Sequence, residues 1–134
     1  MTIREASCSC GGLRLKCEGD PVRVSMCHCL ECQRRTGSVF GVQAWFPTEC
    51  VNLAGGVATQ FARRGDSGRL VTFHFCPQCG GTVFWQAEQR PEFTAVAIGA
   101  FADPTFASPR VSFWESRKHL WTGAIGELEI ERSQ

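Results

Sequence analysis

The sequence predicts an all-β domain, and three observations carry that expectation. Apolar residues fall in short alternating or β-branched segments, glycine, proline and aspartate interrupt them at close intervals, and no stretch keeps the 3.6-residue apolar period of a long amphipathic helix. With 134 residues, 43% hydrophobic and 20% charged, the chain can bury a core of its own. No repeat or linker divides it, so one domain over residues 1–134 is expected.

Taken in order, the segments read as follows. Leu13 to Cys17 alternates after Gly11-Gly12, and Val22 to Met26 alternates after Asp20-Pro21; both read as strands. Leu30 to Thr36 is the best candidate for one short helical turn. Ser38 to Phe46 is a strand that runs until Pro47. Gly55-Gly56 and Gly65-Asp66-Ser67-Gly68 are turn signals. Leu70 to Phe75 and Thr82 to Trp85 lie on either side of a cysteine-containing turn, which predicts a hairpin. Phe93 to Ile98, Val111 to Trp114 and Ile125 to Ile130 supply later strands.

Charge and composition exclude several function classes. The net charge is +1 and only two of the fourteen basic residues are lysines, Lys16 and Lys118. No basic stripe offers itself to a phosphate backbone, so a nucleic-acid partner is not expected. The N-terminal MTIREASCSC has charged and polar residues where a signal peptide needs an apolar stretch, and no run approaches the roughly 18 apolar residues of a membrane span. A cytoplasmic protein is expected.

Nine cysteines in such a chain call for metal binding, because a reducing compartment does not store them as structural disulfides. Cys8-Ser9-Cys10-Gly11 and Cys76-Pro77-Gln78-Cys79-Gly80 are two-thiolate half-sites, each followed by a glycine that lets backbone amides turn toward the sulfurs. Two halves make one closed four-thiolate zinc site that ties the N-terminus to the middle of the chain. Cys27, Cys29 and Cys32 then form a second cluster of three ligands, the pattern of a catalytic zinc with one open position. His28 points away from Cys27 and Cys29 in extended backbone, whereas Cys17, Cys50, His74 or His119 remain alternatives for a fourth ligand from elsewhere. Cys17 and Cys50 otherwise read as ordinary buried thiols.

Three thiolates on a dication leave a formal charge of −1, which makes a poor water-acidifying centre and suits a soft sulfur ligand. The open site therefore reads as a thiol-handling site, where a bound thiolate can attack a carbonyl carbon.

These motifs together, CxCG near the start, CHCxxC followed by basic residues and Gly37, and Phe75-Cys76-Pro77-Gln78-Cys79-Gly80, resemble the glutathione-dependent formaldehyde-activating enzyme family, which includes centromere protein V-like proteins. Gly99 to Pro104 is similar to a later Gly-x-x-x-Asp-Pro segment of that family, and Glu115-Ser116-Arg117 with Trp121 resembles its C-terminal signature. The resemblance implies a zinc-containing β-tent similar to that of methionine-R-sulfoxide reductases. It also implies a structural zinc on Cys8, Cys10, Cys76 and Cys79, a catalytic zinc on Cys27, Cys29 and Cys32, and condensation of glutathione with formaldehyde, a carbon–sulfur lyase reaction in reverse. The family's histidine after a proline has no match at Pro109-Arg110-Val111-Ser112, so no catalytic histidine is carried over.

Arg34 and Arg35 are candidates to meet the carboxylates of glutathione, against solvated surface arginines as the other reading. Trp45, Trp85 and Trp114 are candidates either for pocket walls or for core. The expectation is a two-zinc enzyme acting on a small thiol. A zinc-stabilised interaction module, a glutathione carrier, and thiol redox through Cys76 and Cys79 are the alternatives.

Overall fold

The computed structural model describes residues 2–122 together with residues 131 and 132. Within them the strands are β1 (Ile3–Ser7), β2 (Arg14–Glu18), β3 (Arg23–Cys27), β4 (Gly41–Pro47), β5 (Val51–Gly55), β6 (Thr59–Arg64), β7 (Leu70–Phe75), β8 (Thr82–Ala87), β9 (Phe93–Ala97), β10 (Val111–Phe113) and β11 (Glu131–Arg132). One helix, α1 (Leu30–Thr36), follows β3. The all-β expectation holds, and the helical turn falls where expected. The strand expected over Ile125 to Ile130 lies outside the described residues. No helix among the described residues is long and apolar enough to cross a membrane.

The strands form a three-stranded sheet in the order β1-β2-β5 and an eight-stranded sheet in the order β11-β10-β3-β4-β9-β8-β7-β6. Most pairings are antiparallel, as short turns between neighbours dictate. The exception is β10, which reaches the sheet after a long connection and lies parallel to β3 and β11.

Period-two alternation divides the large sheet into two faces. Val24, Ala44, Phe46 and Val96 point to one side and pack against Ala6, Leu13, Leu15 and Cys17 of the small sheet and its loop, forming the inter-sheet core. Trp45, Val71, Phe73, Trp85 and Ala95 point to the other side and form a second apolar cluster. A β-bulge locally breaks the alternation: Phe75 pairs with Thr82 and His74 with Phe84, which leaves Val83 as the extra residue and turns it into the inter-sheet core. Side chains beyond the second apolar cluster thus sit on the one broad sheet face that the small sheet does not cover.

Candidate metal centres and the cleft beside them

Two tight turns build the first centre. In the β1–β2 loop the Cys8 amide donates to the Leu13 carbonyl at 3.0 Å and the Gly11 amide to the Cys8 carbonyl at 3.1 Å. The β7–β8 turn repeats the arrangement, with the Cys76 amide on the Gly81 carbonyl at 3.0 Å and the Gly80 amide on the Cys76 carbonyl at 2.8 Å. Gly11 and Gly80 hold φ of 77° and 76°, a left-handed conformation that a side chain disfavours. The turns bring the Cys8, Cys10, Cys76 and Cys79 sulfurs within 4.8 Å of one another.

The sulfur geometry fits a metal ion. Cys8 and Cys10 sulfurs stand 3.7 Å apart and those of Cys10 and Cys76 3.6 Å apart, close to the edge of about 3.8 Å that a tetrahedron of thiolates with bonds of about 2.3 Å requires. None of the four is in a disulfide. Backbone amides aim at the sulfurs: Leu13 at Cys8 (3.2 Å), Gly12 at Cys10 (3.4 Å) and Gln78 at Cys76 (3.4 Å). Burial opposes ionisation of Cys8, yet the Leu13 amide and the neighbouring thiols bring it down to about 6. The Gly81 and Cys10 amides lower Cys79 as well.

The second centre stands where β3 meets α1. Cys27 ends the strand, and Cys29 is the N-cap of the helix, its sulfur accepting from the Cys32 amide at 3.2 Å. A cap residue and the third residue after it lie on the same side of a helical turn, so Cys29 and Cys32 converge on Cys27. The three sulfurs lie within 4.8 Å of one another, and among the described residues no further histidine, cysteine, aspartate or glutamate joins them. The neighbouring Cys27 and Cys32 thiols hold Cys29 far below the ordinary thiol range, while Cys29 and Cys32, aided by burial, push Cys27 far above it. Three sulfurs in this space ionise together only when a cation offsets their charge, so this cluster also can hold a metal ion.

His28 is directed elsewhere, as extended backbone requires. It is buried, and its Nε2 lies 3.3 Å from a carboxylate oxygen of Glu115, itself buried. Glu115 also accepts from Ser112 Oγ on β10 and from Lys118 Nζ at 3.0 Å. The His28 amide donates to the Phe113 carbonyl at 3.0 Å. Gln33 completes the brace, donating to the carbonyls of His28 and Arg117 at 2.9 and 3.2 Å. The Cys27–Cys29 segment is therefore anchored to the β10 region by a buried polar network, which reasoning from the sequence reached only as the Glu115-Ser116-Arg117 resemblance.

A cleft of about 610 Å³ opens beside Cys27, Cys29 and Cys32. Trp45, Phe73, Trp85, Phe113 and Trp114 supply its apolar walls, so all three candidate tryptophans border it. Trp114 adopts a left-handed φ of 57° immediately before Glu115, a conformation uncommon for a bulky residue and concentrated at functional sites. Five arginines, Arg23, Arg35, Arg63, Arg69 and Arg90, line the cleft against two acids, Glu31 and Asp66. Gln43 lies at its floor, buried, with one end of its amide on Ser25 Oγ at 2.8 Å, an atom that Trp45 Nε1 also reaches at 3.1 Å.

The two adjacent candidate arginines part company on the helix. Arg34 is exposed, pairs with Glu31 and does not border this cleft; Arg35 does. The Arg35 guanidinium lies 4.2 Å over the Trp85 ring and 5.6 Å from the Phe73 ring, and Arg63 approaches Phe73 at 5.0 Å. Arg63 is also 3.6 Å from Glu31. Cys17 is fully buried in the inter-sheet core, and Cys50 follows the end of β4; neither joins a metal cluster among the described residues. His74 stacks on Phe84 at 4.2 Å, and His119 bonds Gln33 at 3.1 Å.

A sequence model of the glutathione-dependent formaldehyde-activating enzyme family matches residues 3–117. A crystal structure of a protein from Rhodobacter sphaeroides, solved as a structural-genomics target, is similar with a TM-score of 0.59 and 17% identity, over 96% of this chain and 99% of that one. At that identity the likeness concerns the fold alone. No curated protein matches the sequence.

Proposed function

The chain belongs to the glutathione-dependent formaldehyde-activating enzyme family, and from that premise we propose that it joins a small anionic thiol, glutathione, to formaldehyde, giving the S-hydroxymethyl adduct. The observation that carries the reading is the three-sulfur cluster opening onto an arginine-rich cleft. In this proposal both metal ions are zinc. Cys8, Cys10, Cys76 and Cys79 hold a structural ion, and Cys27, Cys29 and Cys32 hold the catalytic one. Zinc bound at the second cluster supplies a position for a sulfur donor and favours the thiolate over the thiol.

The protein's own groups do the rest. Glutathione carries two carboxylates, and Arg23, Arg63, Arg69 and Arg90 along the cleft are suited to receive them by forked hydrogen bonds. Arg34 has no part in this proposal, because it does not border the cleft. The aromatic walls Trp45, Phe73, Trp85 and Trp114 give a bound thiol apolar surroundings on part of the cleft, which strengthens charge interactions there. The buried Glu115 brace fixes the backbone between Cys27 and Cys29 and so the separation of their sulfurs. A cytoplasmic setting, where the thiols stay reduced, belongs to the same proposal.

The reaction also proceeds without a catalyst, so the test is comparative. Adduct formation from glutathione and formaldehyde is followed by proton NMR with the wild-type chain, with Cys32→Ser and with no protein. Acceleration by the wild type that Cys32→Ser abolishes while still folded supports the reading. Glutathione binding without acceleration would make the protein a carrier, and equal rates in all three samples would reject catalysis.

A further inference from the structure

Resting on the reading of the cleft as a thiol–aldehyde site, we propose that Arg35 is a catalytic residue whose guanidinium holds the carbonyl oxygen as negative charge develops on it. The geometry sets Arg35 apart from the other arginines of the cleft. Its Nε and Nη2 atoms are buried and make no hydrogen bond with the described residues. Arg63 has Glu31 at 3.6 Å and Arg90 has Glu92 at 2.7 Å. The Cys32 sulfur already accepts one hydrogen bond from the guanidinium, but the buried, unused Nε and Nη2 groups still carry a desolvation cost that an anion arriving in the cleft relieves.

Its position identifies the anion. Arg35 and Cys32 occupy one turn of α1, and the charges of the Cys32 and Cys27 sulfurs favour the guanidinium. The carboxylates of an extended thiol such as glutathione lie many bonds from its sulfur, whereas the oxygen of an adding carbonyl lies two bonds away. The group that meets the carbonyl oxygen must therefore stand beside the sulfur cluster and not at the rim of the cleft. Arg35 stands there, its guanidinium over the Trp85 ring at 4.2 Å. Gly41 on the neighbouring strand leaves the space it needs: a Cβ at that position would come within 2.7 Å of Arg35 Nη2. Arg35 is thus fixed by packing before any ligand arrives, as preorganised electrostatic catalysis requires.

The step balances without an oxidant or reductant. The substrate thiol loses its proton to solvent; the sulfur lone pair attacks the carbonyl carbon and forms the C–S bond; the π pair of the C=O bond moves to oxygen. The alkoxide accepts hydrogen bonds from the N–H groups of Arg35 and then takes a proton from solvent to become the hydroxyl.

The test uses the zinc-loaded full chain, its Arg35→Gln and Arg35→Lys variants, and two small thiols. Mercaptoacetate places an anionic oxygen close to where the alkoxide forms, and ethanethiol lacks one. By calorimetry the wild type is expected to prefer mercaptoacetate by about tenfold or more, and Arg35→Gln to lose that preference while binding ethanethiol as the wild type does. Arg35→Lys keeps part of it. In turnover, Arg35→Gln is expected to lower kcat by about 100-fold with little change in KM for glutathione. Gly41→Ala, which displaces the guanidinium without removing it, should lower kcat in the same direction, and it carries the test if Arg35→Gln does not fold. Equal losses of affinity for both thiols would mean that Arg35 only supports Cys32. A raised KM with unchanged kcat would make it a carboxylate anchor. Either result overturns the proposal. If the wild type binds both thiols but accelerates nothing, the enzyme reading falls and this proposal with it.

Discussion

Replacing Cys76 by serine is the perturbation whose size can be worked out most fully. Cys10 and Cys76, with sulfurs 3.6 Å apart, are separated by 66 residues. A cross-link closing a loop of that length removes roughly 4 kcal/mol of chain entropy from the unfolded state. Cys76 is 1% exposed in the inter-sheet core, and a serine there buries a hydroxyl at a further cost of about 1–3 kcal/mol. Together these amount to about 6 kcal/mol, set against a total stability of about 5–15 kcal/mol for a domain. At about 3–4 °C per kcal/mol for a chain of this size, Tm should fall by roughly 20 °C, and a marginal domain would not fold at all. The assay is thermal unfolding by circular dichroism at fixed zinc and protein concentration, paired with elemental analysis of the same samples. Cys50→Ser, outside both clusters, is the control and should melt close to the wild type. A Cys76→Ser protein that loses one metal ion yet melts within a few degrees of the wild type would refute the cross-link argument.

The remaining predictions concern the two centres and the brace that ties the Cys27–Cys29 segment to the β10 region. A mild chelator should remove the ion at Cys27, Cys29 and Cys32 first, leaving the far-ultraviolet spectrum unchanged, because the four-sulfur site has no open position through which a competing ligand enters; simultaneous loss of both ions on unfolding would contradict this. With an ion bound at each cluster, seven of the nine cysteines would be ligands, and burial pushes the Cys17 thiol up to about 11. A thiol-reactive dye should therefore count one fast thiol, Cys50, and release of the labile ion should expose three more. Glu115→Ala should lower stability by about 3 kcal/mol, read from the urea midpoint, since it strips a buried carboxylate from His28, Ser112 and Lys118. Unchanged unfolding would show that the network does not hold the Cys27–Cys29 segment.

The cysteine clusters that could hold metal ions were legible because their determinants are local. Each cysteine pair and its glycine specify one turn, whatever the rest of the chain does, and the hairpin between Leu70 and Trp85 follows from the second of them. Strands β1, β5 and β6 were not legible. β6 lies at the edge of the large sheet with Thr59 to Ala62 exposed, so backbone pairing with β7 defines it and apolar alternation does not. The cleft was hidden for a different reason: Arg23, Arg63, Arg69 and Arg90 come from two strands and two connections, and only pairing of the strands gathers them. The choice between Arg34 and Arg35 also needed the structure. Successive residues on a helix point about 100° apart, so one of the pair had to face the cleft and the other solvent, but Glu31 and Trp85 decide which.

The central claim is that Cys27, Cys29 and Cys32 hold a metal ion with one position left for a substrate thiol. Cobalt in place of zinc tests it directly, because sulfur-to-metal charge-transfer absorption responds to each added thiolate. The account predicts that glutathione alters the band of the wild-type protein, that other small thiols compete for the same change, and that Cys32→Ser folds but shows no response. A spectrum that no thiol perturbs, together with a Cys32→Ser variant as unstable as Cys76→Ser, would mean that both ions are structural.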